Sequence, residues 1–484
     1  MATNEADIGL IGLAVMGQNL VMNMNDHGFR VAVFNRTVSK VDDFLHGPAK
    51  GSHVIGTRGL KEFVTVLKRP RKIILMVKAG VAVDELIAEL LPFLEKGDIL
   101  IDGGNSHYPD TERRVKELDA KGILFVGSGI SGGEEGARHG PSIMPGGNAK
   151  AWSEVAPILQ TIAAKAEDGK SCCDWVGDGG SGHYVKMVHN GIEYGDMQLI
   201  CEAYHILKAR FGCSEQEMHD IFLEWNKGPL HSYLIEITAK ILAYKEDGKL
   251  LLDSILDVAG QKGTGKWTGV TALELGMPLT LIGEAVFARC LSALKAERLK
   301  AAKLYGAPHI VPVTDKKKQI AELAEALYAS KMISYAQGFM LMRQAAADFK
   351  WKLNYGSIAL MWREGCIIRS QFLYKIKDAF THNPQLENLL LDPFFHDALT
   401  AASPGFRRQV ALAIESGIPT PCLSTAINYF DGYRTAALPT NLLQAQRDFF
   451  GAHTYERTDR PRGQFFHTNW TGTGGNTSSS TYNV

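Results

Sequence analysis

Five polar residues recur along Lys186-Met187-Val188-His189-Asn190-Gly191-Ile192-Glu193-Tyr194. Lys186, His189, Asn190, Glu193 and Tyr194 fall at i, i+3, i+4, i+7 and i+8, the spacing of one helical face. That face carries a base, an acid and hydrogen-bonding groups where a core helix would present Leu and Val. Met187 and Val188 point elsewhere and can anchor the helix. A solvated face with a charge pair fits the same spacing, because ion pairs on surface helices are common. The segment alone leaves both readings open.

Several glycine-rich turns offer partners for such a face. Gly12-Leu13-Ala14-Val15-Met16-Gly17 follows the first strand and opens a helix, matching the G-x-G-x-x-G dinucleotide pattern with Ala in the middle. The first glycine makes the turn, the small middle residue admits a pyrophosphate, and the helix N-terminus donates amides to it. The second strand ends at Phe34-Asn35-Arg36-Thr37, where NAD sites place a carboxylate for the ribose hydroxyls. No acid stands there, and the Arg36 guanidinium can hold a 2′-phosphate, so NADP is expected over NAD. Val77-Lys78-Ala79-Gly80 and Asp102-Gly103-Gly104-Asn105-Ser106 follow later strands at their carboxyl ends, where open α/β sheets bind ligands. Ser128-Gly129-Ile130-Ser131-Gly132-Gly133 follows a later strand, and a Ser-Gly-Gly turn before a helix can offer backbone amides to a carboxylate; a plain tight turn fits it too. Gly260-Gln261-Lys262-Gly263-Thr264-Gly265-Lys266-Trp267 nearly satisfies the nucleotide phosphate-loop pattern. Trp267 stands where Ser or Thr should hold magnesium, and no buried strand precedes it. A basic turn holding a substrate phosphate, through Lys262 or Lys266, remains open.

The elements that must position these groups divide the chain. Apolar runs at 8–11, 31–34, 72–77, 98–102 and 124–126 alternate with helical patterns such as 85–94 and 111–121. Such alternation implies a doubly wound parallel sheet covered on both faces, a Rossmann-like coenzyme domain over residues 1–179. Helical periodicity then dominates at 185–211, 283–304 and 317–349, an all-α domain over 180–437. A helix at 438–450 and a tail complete a third region, 438–484. Ile221, Leu223, Trp225 and Gly228 match Ile358, Leu360, Trp362 and Gly365 at one offset. Lys186-Met187 matches Lys331-Met332 at an offset eight residues longer, which sets Gly338 opposite Glu193 and Tyr335 opposite Asn190. A duplicated helical unit whose second copy lacks the acid favours chemistry in the first. Residues 463–484 are rich in Gly, Ser, Thr and Asn, so a disordered tail is the default. Phe465, Phe466, Trp470 and Tyr482 point instead to packing.

Composition narrows the function classes. The 484 residues carry 52 basic and 52 acidic side chains, which argues against a nucleic-acid binder. Seven scattered cysteines show no zinc spacing, and no metal site is expected. No secretory apolar segment or run of 18 apolar residues occurs, so reduced thiols and a cytoplasmic location are expected, with Asn35, Asn469 and Asn476 chance glycosylation matches.

Together these motifs, with Ser131-Gly132-Gly133-Glu134-Glu135 and Gln446-Arg447-Asp448-Phe449-Phe450-Gly451-Ala452-His453, resemble the decarboxylating 6-phosphogluconate dehydrogenase family along the whole chain. The resemblance implies an NADP enzyme of the pentose phosphate pathway and of gluconate utilisation. It implies a homodimer in which each C-terminal tail crosses the partner. Lys186 is then the general base and Glu193 the general acid. Ser131, Gly132, Gly133, His189, Asn190, Tyr194, Lys262 and Arg289 match substrate contacts, Arg447 and His453 contacts from the other subunit, and Asn105 a residue near nicotinamide and substrate. Oxidation at carbon 3 of 6-phospho-D-gluconate and loss of carbon dioxide would give ribulose 5-phosphate. A related β-hydroxyacid dehydrogenase would lack the duplicated helices. A silent NADP-binding protein would lack the Lys/Glu pair.

Overall fold

The computed structural model describes residues 5–474 and 478–479; Asn476 and Tyr482 lie outside them. The chain forms two compact units, Met1–Ala426 and Ile427–Val484.

Short strands, the first of them largely apolar, build the sheet of the first unit: β1 (Ile8–Ile11), β2 (Val31–Phe34), β3 (Ile55–Gly56), β4 (Lys72–Leu75), β5 (Ile99–Asp102), β6 (Leu124–Ser131), β7 (Ser142–Gly147) and β8 (Gly177–Asp178). They lie in the order β3-β2-β1-β4-β5-β6-β7-β8. Strand β1 is central and buried throughout, pairing parallel with both β2 and β4. Apolar side chains fill a core on each face, one around Leu10, Leu20 and Val155, the other around Phe63, Leu75 and Phe125. One expectation is corrected: the sheet is not wholly parallel, because β7 runs antiparallel to β6 from Val126↔Gly147 to Ser131↔Ser142. Only residues 132–141 separate these strands, too few for a parallel crossover of a dozen or more residues.

A 29-residue helix, Ser181–Ala209, begins directly after β8 and lies against β6. Contact is close because β6 presents glycine on one face at alternate positions. A Cβ on Gly127 would stand 2.7 Å from His183 Nδ1, and one on Gly129 2.2 Å from Lys186 Cβ. A second long helix, Lys316–Phe349, crosses the first where small residues permit it. A Cβ on Gly338 would meet Ile192 Cδ1 at 2.6 Å, and one on Gly195 would meet Ser334 Oγ at 2.7 Å. Beside this crossing Lys331 Nζ pairs with Asp196 Oδ2 at 2.5 Å, both fully buried. Each long helix is followed by a shorter one running to a tryptophan: Glu215–Trp225, and Tyr355–Met361 before Trp362. These segments match the internal repeat, and Ser232 bridges Ser370 beyond them. The helix expected over 283–304 is two, Thr280–Ala293 and Lys295–Tyr305, broken at Leu294.

In the second unit, helix Thr440–Gly451 precedes a small hairpin of Tyr455–Glu456 and Phe465–Phe466. Buried Asp448 ties the chain at 467–470 back to this helix by collecting its donors. Its carboxylate accepts from His467 Nδ1 at 2.9 Å, Thr468 N at 3.0 Å and Trp470 Nε1 at 2.8 Å. Burial alone would raise its pKa, but these donors more than offset that and hold it low. No described helix is long and apolar enough to cross a membrane.

Candidate active site

The coenzyme turn takes the conformation its glycines allow. Gly12 has φ +110° and passes so close to β4 that a Cβ would stand 2.3 Å from Met76 O. Gly17 sits on the first turn of helix Val15–Asp26, where a Cβ would fall 1.9 Å from Gly12 O. Ala14 and Val15 are exposed and Leu13 is buried, its amide donating to Asn35 Oδ1 at 3.1 Å. Arg36 projects from the end of β2, 72% exposed, with its guanidinium 3.1 Å from Glu89. So exposed a pair contributes little, which leaves the guanidinium available to an anion. Val77, Ala79 and exposed Lys78 follow β4, and Asn105 is exposed in the loop after β5. Asp102 shapes that loop by accepting from Gly104 N at 3.1 Å and Ser106 Oγ at 2.6 Å. These segments gather at the carboxyl ends of the strands, and the turn, amides and cation suit a phosphorylated dinucleotide.

The polar face of the Ser181–Ala209 helix is not solvated. Lys186, His189, Asn190 and Tyr194 are all buried, and the Glu193 side chain is 17% exposed. Lys186 Nζ stands 3.5 Å from His189 Nδ1. That nitrogen is also 3.2 Å from Asn190 Oδ1 and 3.9 Å from Glu193 Oε2. His189 Nε2 lies 3.4 Å from Ser131 Oγ, the last residue of β6. Gly132 follows at φ +113°, backed by the Gly365 carbonyl, so helix Gly133–His139 starts against the 365 turn. A second helix, Thr264–Glu274, docks through hydroxyls. Asn190 Nδ2 donates to Thr264 Oγ1 at 3.0 Å, and Thr268 Oγ1 to Met187 O at 2.8 Å. The docking brings up the basic turn and Arg289. The Arg289 guanidinium lies 3.4 Å above the Tyr194 ring and donates to Gly260 O at 3.2 Å. Lys262 is exposed on that turn.

Burial sets the electrostatics. Loss of hydration pulls the Lys186 pKa down, opposed by the charge of Glu193; the Cys366 thiol also lies near, and burial keeps it protonated. Burial, reinforced by Lys186, holds His189 well below its usual range, so the imidazole is neutral. Burial pushes Glu193 up; Lys186 and Arg289 oppose that rise, and Asp196 adds to it. A base and an acid with pKa values moved toward each other can accept a proton at one end of the face and give one at the other.

Ser131, Gly132, His189, Asn190, Tyr194 and Arg289 therefore assemble around Lys186 and Glu193. Arg447 and His453 belong to the second unit, where Arg447 donates to Gln444 Oε1 at 3.1 Å and His453 Nδ1 is 3.0 Å from Ser479 Oγ. Sequence reasoning missed Gly129, Thr264, Thr268 and Cys366 as parts of the site. Gly129 and Thr264 stood inside quoted motifs, whereas no local signal marks Cys366.

Fold and site together define a dinucleotide-dependent dehydrogenase. Residues 7–177 match the NAD binding domain of 6-phosphogluconate dehydrogenase, and residues 182–470 its C-terminal domain. The chain is 65% identical over 486 residues to 6-phosphogluconate dehydrogenase, decarboxylating, of Cunninghamella elegans, covering 100% of both. It is 64% identical to the human enzyme of that name, over 99% of this chain and 100% of the relative. A Plasmodium falciparum 6-phosphogluconate dehydrogenase, solved in apo form and in complex with its cofactor NADP+ and its substrate 6-phosphogluconate, superposes with TM-score 0.93. It is 46% identical, over 96% of this chain and 100% of that one. The chain belongs to the 6-phosphogluconate dehydrogenase family.

Proposed function

We propose that this chain converts 6-phospho-D-gluconate and NADP+ to D-ribulose 5-phosphate, carbon dioxide and NADPH. The observation that carries the reading is a buried lysine that, among the described residues, meets no carboxylate in hydrogen-bond contact, two helical turns from a largely buried acid. NADP+, when bound, supplies the hydride acceptor. Neutral Lys186 takes the proton of the carbon 3 hydroxyl. As an ammonium it polarises the resulting ketone, so that the carboxyl bond electrons flow toward carbon 3 as carbon dioxide leaves. Protonated Glu193 then delivers a proton to carbon 1 of the product enediol. Ser131, Gly132, Gly133, His189 and Asn190 hold the sugar acid, and Tyr194, Lys262 and Arg289 the phosphate end. Gly12, Leu13, Ala14, Val15, Met16, Gly17, Asn35, Arg36, Thr37, Val77, Lys78 and Ala79 hold the dinucleotide, with Asn105 between the two ligands.

The same reading makes the protein a cytoplasmic homodimer. Large apolar side chains, among them Leu273, Phe287, Leu304 and Tyr305, are mostly exposed on consecutive helices, more than a monomer's surface calls for. A second copy would cover them and supply Arg447 and His453 to the phosphate. Three regions, 1–179, 180–437 and 438–484, would then serve coenzyme, substrate and partner. The test is a coupled measurement of NADPH and carbon dioxide with 6-phosphogluconate, alongside sedimentation. Equal yields of the two products from a dimer are expected. Reduction without carbon dioxide, or turnover only of a small unphosphorylated β-hydroxy acid, would overturn the reading.

A further inference from the structure

We infer that His183 is a positioning residue that locks the Asp102–Ser106 loop, and with it Asn105, to the helix that carries Lys186. The inference rests on the function proposed above, which places Asn105 between coenzyme and substrate.

His183 sits one helical turn before Lys186 and is fully buried. Its Nε2 lies 3.1 Å from Asp102 O, and its Nδ1 2.6 Å from Thr111 Oγ1. A carbonyl oxygen can only accept, so Nε2 carries the hydrogen. Nδ1 is then the acceptor, and the Thr111 hydroxyl donates to it. Burial favours this neutral form, against the pull of the Asp102 charge. The ring has room because β6 has glycine at 127.

Asp102 is the hinge of the arrangement. Its backbone carbonyl is fixed by His183, while its buried carboxylate fixes Gly104 N and Ser106 Oγ on either side of Asn105. Behind it, Arg114 Nη1 lies 3.5 Å from that carboxylate. The same guanidinium grips Asp84 at 2.8 and 2.9 Å and donates to Gly80 O at 3.0 Å. The loops after β4 and β5 and the Lys186 helix thus share one polar network. Asn105 is itself exposed, so its flanks determine where it stands. Misplacing a reacting group by about 1 Å can cost ~100-fold in rate, so a clamp at this point acts on chemistry more than on binding.

The test compares full-length His183→Leu, His183→Gln and Thr111→Val with the unaltered protein. In His183→Leu, kcat with 6-phosphogluconate should fall about 30-fold, with the NADP Kd changed less than about twofold. The deuterium isotope effect from carbon 3 of the substrate should grow as hydride transfer becomes slower. Amide exchange at residues 103–106 should quicken in the ligand-free protein. His183→Gln, whose amide can still donate to Asp102 O, should recover most of the rate. Unchanged kcat and isotope effect in folded His183→Leu would overturn the inference. So would equal losses of kcat and NADP affinity, which denote a general structural role. If His183→Leu does not fold, Thr111→Val decides: about a fivefold loss of kcat with a larger isotope effect is expected, and wild-type kinetics refute the clamp. Should the unaltered protein fail to turn over 6-phosphogluconate, the proposed function falls, while exchange at 103–106 still reports whether His183 holds the loop.

Discussion

Two lysines occupy corresponding places on the two long helices, and both are buried. Lys331 has a carboxylate at 2.5 Å, Asp196 of the neighbouring helix. Lys186 has the neutral ring of His189 at 3.5 Å, and its nearest acid acts only through space. Burial by itself therefore does not make a lysine a base. Burial lowers the pKa of Lys186, whose acid stands off, whereas Lys331 has a carboxylate in direct hydrogen-bond contact. At the positions matching Glu193 and Asn190 the second helix has Gly338 and Tyr335. Gly338 packs on Ile192, and Tyr335 donates to Ile368 O at 2.7 Å. One helix carries a lysine and an acid that are not in contact with each other, and the other has a contact ion pair, a glycine and a tyrosine bonded to the backbone.

Substitutions can test that contrast, the most severe first. Lys186→Met should lower kcat by about 10³–10⁴-fold with NADP affinity intact, measured by NADPH formation and coenzyme titration. Normal turnover would remove Lys186 from the chemistry. Lys331→Met should instead act on stability, costing about 3–5 kcal/mol by denaturant titration because Asp196 is left buried without its partner. Adding Asp196→Leu should restore most of that loss, and the folded double variant should turn over within about threefold of the unaltered protein. A kcat collapse matching that of Lys186→Met would erase the distinction between the two lysines. Glu193→Gln should cost about 100-fold, with slow protonation of the enediol.

The pH profile carries the same division. In the proposed mechanism Lys186 works unprotonated, so activity should be lost as pH falls through its lowered pKa. Glu193 works protonated there, so activity should be lost as pH rises through its raised one. The two limbs belong to the coupled pair and should lie inside the span from 4.5 to 10.5 that the unperturbed groups define. In Glu193→Gln the decline at high pH should vanish; its persistence would assign that limb to another group. The smallest effect is expected at the coenzyme. Arg36→Ala should raise the NADP KM about 10-fold and leave the NAD value nearly unchanged.

What could be read from the chain beforehand follows a simple rule of range. The glycine turn at 12–17, Arg36 and the Lys186 face are local patterns, and local patterns survive folding. The strands at 8–11 and 31–34 appear with those bounds, because short apolar runs bounded by polar residues or turns are local signals. Strand β7 was missed because Pro145-Gly146-Gly147 reads as a turn, and only its pairing with β6 makes it a strand. The Thr264–Asn190 and Thr268–Met187 bonds span 74 and 81 residues, and Lys331–Asp196 spans 135. No periodicity encodes such meetings. The contacts of residues 467–470 depend likewise on Asp448, twenty residues before the Thr468 amide it holds.

Gly129 has a consequence for altering this protein. Its missing side chain is the space occupied by the Lys186 stem, since a Cβ there would come within 2.2 Å of Lys186 Cβ. A single methyl group at 129 would collide with the stem of the residue proposed as the base. Laboratory variation of β6 therefore has a blind spot: a library that treats position 129 as an ordinary strand residue would return inactive clones whose catalytic residues are all present.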